Sequence, residues 1–200
     1  MMRVGITGGI GSGKTEARNT LRRGGYPVLS ADDIAKSIAR SNPSVRKRIT
    51  RLLGPEAFRA DGTLNRSVIA SLVFGNRRKE RALNAIIHPE VLKEIRRQFR
   101  SFERQGIRVA FVEAALIFES GMDRDLDVVV VVDAPRETRI RRVLKRNGGS
   151  RRAVEKRMAA QWPSGRRNRK ADIIVRNTGS IRDLRSKVKF LARLFTHIAG

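Results

Sequence analysis

The segment Gly8-Gly9-Ile10-Gly11-Ser12-Gly13-Lys14-Thr15 decides the fold of this 200-residue chain. It matches the pattern G-x-x-x-x-G-K-[ST] at every fixed position. A β-branched run from Arg3 to Thr7 comes before it, and a helical pattern from Lys14 to Arg23 follows it. A strand, a glycine-rich turn and a helix, in that order, are the setting in which this pattern forms a phosphate-binding loop, or P-loop.

The residue types explain how such a loop holds phosphate. Glycines let the backbone curl until successive N–H groups point at phosphate oxygens, and the following helix adds the positive end of its dipole. We expect Lys14 to reach the β- and γ-phosphates of a nucleoside triphosphate and the Thr15 hydroxyl to ligate Mg²⁺. The predicted nucleotide-binding residues of the loop are Gly9, Gly11, Ser12, Gly13, Lys14 and Thr15. The pattern indicates a nucleoside triphosphate but leaves the acceptor open.

Strand and helix patterns alternate on the carboxyl side of this loop. Further strands are predicted at Tyr26–Leu29, Arg108–Val112, Asp127–Val132 and Asp172–Val175, and helices at Ala31–Arg40, Pro135–Arg146, Arg151–Gln161 and Ile181–Ile198. The strand Asp127–Val132 is almost continuously apolar, as in parallel sheets covered on both faces. The alternation predicts an α/β fold with a mostly parallel sheet. Ligands of such sheets bind at the carboxyl ends of the strands.

Residues 43–104 carry helical patterns and no convincing strand. We interpret them as a helical insertion in a single domain that spans residues 1–200.

A GTPase is disfavoured because the chain has no N-K-x-D sequence, the pattern that is typical of guanine recognition.

Composition excludes several classes of protein. The chain has no cysteine, which rules out disulfides and thiolate chemistry, and its two histidines cannot build a multi-histidine metal site alone. No apolar run approaches the roughly 20 residues of a membrane span. The amino terminus enters a strand at once and shows no signal-peptide pattern. The expected location is the cytoplasm.

The charge of the chain is strongly positive. Lys plus Arg number 44 against 19 for Asp plus Glu, a formal net charge of +25. Such a field attracts polyanions. The basic residues are spread along the chain instead of being clustered, which favours compositional bias over a dedicated nucleic-acid surface. We therefore do not expect nucleic acid to be a partner.

Three carboxylates follow predicted strands. Asp32 and Asp33 come after the second strand, and Glu113 after the third. A carboxylate at such an edge can orient or take the proton of an acceptor hydroxyl. Asp32 or Asp33 could equally cap a helix that starts near Ile34. Glu113 could hold Mg²⁺ through water, contact the acceptor, or be structural.

The chain resembles the dephospho-CoA kinase family over nearly its full length. The matching segments are Ile6–Thr15, Ala31-Asp32, Asp61–Arg66, Val73-Phe74, Leu83–Pro89, Leu116–Glu119, Arg142, Arg146–Gly148, Arg157–Gln161, Ala171-Asp172, Asn177 and Gly179. The L-N-x-I-x-H-P and L-[LI]-F-E segments are much more specific than the P-loop. The resemblance implies a P-loop kinase fold with a five-stranded parallel sheet, a helical substrate domain at 43–104 and a lid at 147–170.

The resemblance also implies an activity, which is transfer of the ATP γ-phosphoryl group to the 3′-hydroxyl of the dephospho-CoA ribose. Asp32 would be the base, and Thr7, His88, Phe118 and Glu119 would belong to the substrate side. By itself, His88 reads as a packed structural histidine. The substrates would be ATP and dephospho-CoA, handled by a monomer or small homo-oligomer. A kinase of another small acceptor and a nucleotide-dependent nucleic-acid-binding protein are the alternatives.

Arginines and an asparagine complete the predicted ATP site. Phosphoryl transfer needs charge neutralisation, which lid arginines supply while excluding water. Arg142 is the first candidate, as a catalytic residue, and Arg146 the second; the alternative for each is a solvated helix face. Asn177 follows the fifth strand, where this fold class often receives adenine.

The chain departs from the family pattern at five positions. Ser30 replaces the first Asp of D-A-D, and Asp33 adds a neighbouring carboxylate. Ala115 stands where proline is usual before L-L-F-E, Glu113 where Asp is usual, and Arg139 where glutamine is usual. These changes bear on substrate positioning and not on the class of reaction.

Overall fold

The computed structural model describes residues 1–73 and 75–200, with residue 66 described by its backbone alone. Within this part of the chain the strands are β1 (Met2–Thr7), β2 (Val28–Ser30), β3 (Val109–Glu113), β4 (Val128–Asp133) and β5 (Ile173–Arg176). The helices are α1 (Lys14–Arg23), α2 (Ala31–Ser41), α3 (Pro43–Leu53), α4 (Arg66–Val73), α5 (Arg77–Arg104), α6 (Arg136–Asn147), α7 (Arg151–Ala159), α8 (Ser164–Arg169) and α9 (Ile181–Ile198). Phe74, part of one resembling segment, lies outside the described residues.

The five strands form one parallel sheet in the order β2-β3-β1-β4-β5. β1 is central: Val4 pairs with Phe111 of β3 on one side and with Val128 of β4 on the other. The sheet confirms the predicted α/β fold. Because β1 lies in the middle, the loop that follows Thr7 leaves the sheet at its centre, where ligands of parallel sheets bind.

The chain forms two compact units, residues 1–29 with 99–200, and residues 30–98. The first unit contains most of the sheet, and its core joins the inner strands to α1 and α9. The buried residues of that core include Val4, Ile6, Ala17, Leu21, Phe111, Val130, Val132, Leu184, Val188 and Phe195. The aliphatic composition follows from the low aromatic content of 5%.

The second unit is helical. Its core consists of Ala39, Val45, Ile49, Leu53, Ala57 and Ile86. Asn42 caps α3 by accepting a hydrogen bond from Val45 N at 3.1 Å, and Pro43 occupies the first helical turn. Phe58 and Leu64 form an isolated antiparallel bridge. Among the described residues, the segment 43–104 contains no strand, as predicted.

Two element boundaries differ from the prediction by more than one residue. β2 begins at Val28 instead of Tyr26, because Tyr26 N donates to Leu21 O at the end of α1. The helix predicted to end at Gln161 ends at Ala159, and the short helix α8 was not predicted. Gln161 and Trp162 instead form a linker between α7 and α8.

No helix in residues 1–73 and 75–200 combines the length and the apolar composition that crossing a membrane requires.

Candidate active site

The predicted phosphate-binding loop joins β1 to α1. Gly13, at the amino-terminal cap of α1, has φ of 111°, a backbone conformation that residues other than glycine rarely adopt. A β-carbon at Gly13 would also overlap Asn177 Nδ2. Both constraints require glycine at this position. They explain why the loop can curl closely beneath a phosphate chain.

Lys14 folds back over the loop. Its Nζ donates to Gly8 O at 2.7 Å and to Gly9 O at 3.3 Å, and the residue is 9% exposed. The ammonium group is thus held within the loop itself. Thr15, on the first turn of α1, is exposed. The predicted roles of Lys14 in phosphate binding and of Thr15 in Mg²⁺ binding stay predictions.

Arg142 and Asn177 meet at the loop. Asn177 Nδ2 donates to Ser12 O at 2.7 Å, and Arg142 Nη2 donates to Asn177 O at 3.3 Å and to its Oδ1 at 3.4 Å. Arg142 Nη1 is buried without a hydrogen-bond partner among the described residues. An arginine keeps its charge at any physiological pH. The structure therefore places a fixed positive charge and an amide beside Ser12 and Gly13.

Arg146 is not brought to this site. It is exposed, and its Nε donates to the neighbouring Asn147 Oδ1 at 3.0 Å. This placement favours the alternative, a solvated helix face.

The linker between α7 and α8 contacts the loop. Gln161 Oε1 accepts a hydrogen bond from Ile10 N at 2.9 Å, and Trp162 N donates to Glu119 Oε1 at 3.1 Å. The Trp162 ring stacks on Phe118, with centroids 6.0 Å apart and planes at 11°. Phe118 and Glu119 thus support the linker directly. Their predicted part in lining the substrate cleft stays a prediction.

Thr7 and Glu113 are the last residues of β1 and β3, two strands that pair with each other. Thr7 is fully buried, and its Oγ1 has no hydrogen-bond partner among the described residues. Glu113, at the end of β3, is 7% exposed and forms an ion pair with Arg18 at 3.4 Å. The pairing with Arg18 gives Glu113 a structural role, whatever else it does.

The helical unit contains two of the predicted acceptor-side residues, Asp32 and His88. Its helix α2 begins at Ala31 and not near Ile34, and its cap is Ser30, whose Oγ accepts from Asp33 N at 3.3 Å. Neither Asp32 nor Asp33 therefore caps α2. Asp33 Oδ1 accepts from Lys36 Nζ at 2.6 Å, whereas Asp32 is exposed on the first turn.

His88 lies within α5 and is half-buried. Burial lowers the pKa of its imidazole, since a charged ring would lose hydration there. A neutral histidine fits either packing or a hydrogen bond to a substrate.

Sequence reasoning gave no role to two buried arginines beside the loop. Arg139 is 8% exposed and Arg167 is 1% exposed, and both contact the space around Gly9. In a chain with 44 basic residues, no sequence pattern distinguishes these two from arginines on solvated helix faces.

The described residues contain no cluster of three or more His, Asp or Glu side chains that could hold a metal. The Thr15 hydroxyl is a hard oxygen donor, which suits Mg²⁺ that is held mainly by phosphate oxygens.

Comparison with known proteins identifies the family. The dephospho-CoA kinase family model matches residues 2–183. A dephospho-CoA kinase of Corynebacterium glutamicum is 36% identical over 199 residues, which is 99% of this chain and 100% of the relative. A solved Thermus thermophilus structure has TM-score 0.77 and 40% identity over 96% of this chain and 97% of its own.

A solved dephospho-CoA kinase of Campylobacter jejuni has TM-score 0.72 and 26% identity, over 98% of this chain and 97% of its own. The match to the family model spans the loop, the helical unit and the α7–α8 linker. The chain belongs to the dephospho-CoA kinase family.

Proposed function

We propose that this chain phosphorylates the 3′-hydroxyl of the dephospho-CoA ribose with ATP, giving coenzyme A and ADP. The observation that carries the proposal is the family match over residues 2–183, joined to a phosphate-binding loop with Lys14 held inside it. The loop accounts for ATP, and the family accounts for the acceptor.

Phosphoryl transfer depends on positioning and charge neutralisation more than on covalent chemistry. Lys14 would exchange its bonds to Gly8 O and Gly9 O for the β- and γ-phosphate oxygens. Arg142, with Nη1 unpartnered among the described residues, would add a second positive charge. Asn177 would hold Arg142 in place and lie near the adenine. The Thr15 hydroxyl would ligate Mg²⁺, which neutralises phosphate charge when bound.

Asp32 is the candidate base. It comes two residues after β2 ends, is exposed, and is not the cap of α2, because Ser30 has that role. Asp33 is the weaker candidate since its carboxylate pairs with Lys36. A carboxylate in this role orients the 3′-hydroxyl and accepts its proton as the oxygen attacks the γ-phosphorus.

The remaining predicted residues would serve the acceptor and the exclusion of water. Thr7 has a buried hydroxyl with no partner in the described part of the chain, which a substrate oxygen could satisfy. We assign His88, Phe118 and Glu119 to the acceptor side, and residues 147–170 to a lid. We place the reaction in the cytosol, performed by a monomer or small homo-oligomer without nucleic acid.

A coupled assay of ADP release with ATP and dephospho-CoA tests this function. Asp32→Ala should lower kcat by about 10²-fold or more, the range of general-base contributions. Asp33→Ala, its matched neighbour, should keep kcat within about threefold of wild type, since the exposed ion pair of Asp33 with Lys36 contributes little. Folded wild-type protein that shows no acceptor-dependent ADP release would refute the function. Full activity of Asp32→Ala would refute only the role of Asp32.

A further inference from the structure

Two arginine side chains converge on Gly9, the second residue of the phosphate-binding loop. A β-carbon at Gly9 would overlap Arg139 Nη1 and would lie 3.0 Å from Arg167 Nη2. The two guanidinium groups therefore border the same backbone position. They come from different elements, Arg139 from α6 and Arg167 from α8.

These two cations share one weak acceptor. Arg139 Nη2 donates to Ser164 Oγ at 3.2 Å, and Arg167 Nη2 donates to the same oxygen at 3.4 Å. Arg167 Nη1 also donates to Trp162 O at 3.4 Å. The Nε atoms of both arginines are buried without a partner in residues 1–73 and 75–200. Most of the ten N–H donors of the pair are thus poorly used.

No carboxylate neutralises the pair directly. Among the described residues, neither guanidinium has an Asp or Glu oxygen within 4.0 Å. Asp133 Oδ2 accepts from Asn168 Nδ2, and Glu119 Oε1 accepts from Trp162 N. Burial, followed by repulsion from Arg139, lowers the pKa of Arg167, whereas the more distant carboxylates of Glu119 and Asp133 act in the opposite direction. Two buried like charges with neutral acceptors are costly unless a ligand compensates them.

Arg139 lines a cleft of about 500 Å³, together with Ser164, Gln161 and Trp162. Arg167 is 1% exposed and does not line this cleft, whose wall also carries the carboxylates of Asp133 and Glu155. A phosphate group fits such a space, and planar guanidinium forks match its oxygens in a bidentate way.

We propose that Arg139 and Arg167 form a phosphate-binding pair that takes an oxygen of the ATP phosphate chain on the Gly9 side of the loop. The assignment to ATP rests on the proposed function. The pair would supply positive charge from α6 and α8 in addition to that of Lys14 and Arg142, and it would draw the α7–α8 linker onto bound nucleotide.

Isothermal titration calorimetry of inorganic tripolyphosphate into the ligand-free protein, without Mg²⁺, tests the pair. This measurement does not involve the acceptor. We expect Arg139→Gln and Arg167→Gln each to raise Kd by about tenfold or more. The Kd of Arg139→Lys should lie between those of wild type and Arg139→Gln, because lysine keeps the positive charge but lacks the planar guanidinium group that donates two parallel hydrogen bonds. The exposed Arg141→Gln, also on α6, is the matched control and should stay within about twofold.

A purely structural pair would behave differently. Its variants would lower the Tm of the ligand-free protein and leave the Kd for tripolyphosphate unchanged, and that result would overturn the proposal. A phosphate-binding pair predicts an unchanged or higher ligand-free Tm, since one buried like charge is removed, and a smaller Tm increase with tripolyphosphate. Variants of the pair that bind dephospho-CoA more weakly but bind tripolyphosphate normally would also overturn the assignment to ATP. Neither result depends on whether the wild type phosphorylates dephospho-CoA, which the ADP-release assay decides separately.

Discussion

Three separate segments of the chain meet at the phosphate-binding loop, and they contribute Lys14, Arg142 and Asn177. Lys14 was predictable because its position is fixed by the spacing of the loop. Arg142 and Asn177 needed the family resemblance, since their hydrogen bond joins residues 35 positions apart. Arg139 stood out only as a departure from the family pattern, and the burial of Arg139 and Arg167 could not be predicted, because it arises from tertiary packing.

Replacing Lys14 by alanine should abolish phosphoryl transfer without unfolding the protein. The ammonium group donates to carbonyls of the loop, so its removal takes away charge that phosphate needs. We expect kcat/KM to fall by about 10³-fold or more, comparable with the loss of other charge-stabilising groups. Steady-state kinetics and far-ultraviolet circular dichroism check this. Near-normal kcat/KM in a folded Lys14→Ala variant would contradict the role of the loop.

His88 should make stability depend on pH. Its pKa is lower in the folded protein than the value of about 6.5 in an unfolded chain. The unfolded state therefore binds the proton more readily, and stability is complete above pH of about 6.5 and falls as the pH drops below it. Urea unfolding at pH 7.5 and pH 5.0 should show a larger loss for wild type than for His88→Gln. The exposed His197→Gln should follow wild type; equal losses in all three proteins would contradict burial of His88.

Among the elements, those with a regular pattern were predicted well. α1 and α9 begin and end at the predicted residues, because glycines or a capping serine border an amphipathic run. The end of α7 was predicted two residues too late, because Ala160 and Gln161 belong to the linker between α7 and α8. Its conformation depends on Gln161 accepting from Ile10 N and on Trp162 stacking with Phe118, contacts between residues far apart in sequence.

The start of α9 offers a test of local structure. Ser180 Oγ accepts from Asp183 N at 3.2 Å, and Asp183 Oδ2 accepts from Ser180 N at 2.7 Å, a reciprocal capping box. Ser180→Ala should lower Tm by about 3 °C. Ser186→Ala, an exposed position within α9, should leave Tm nearly unchanged. Differential scanning calorimetry distinguishes them, and equal Tm values would show that the box does not stabilise α9.

At the scale of the whole molecule, the fold followed from the order of strands and helices around one loop. The alternation predicted a parallel sheet, and the sheet has β1 at its centre. The strand order was not predicted, since alternation alone is compatible with several orders. The net charge of +25 indicated polyanions but could not identify one.

Because the basic residues are spread along the chain, nucleic-acid binding should be weak and nonspecific. Fluorescence polarisation with a labelled RNA should show affinity that falls by about 10²-fold or more between roughly 50 mM and 200 mM salt, as counterion release requires. RNA should not stimulate ATP turnover. Tight binding that persists at the higher salt concentration, with RNA-dependent ATP turnover, would contradict a purely small-molecule kinase.

The most direct test is the position of the transferred phosphate. Wild-type protein incubated with ATP and dephospho-CoA should give one coenzyme A for each ADP, with the new phosphate on the ribose 3′-oxygen by ³¹P NMR and mass spectrometry. The Lys14→Ala variant should form neither product. ADP formation that does not require dephospho-CoA, or a phosphate attached elsewhere, would contradict the assignment.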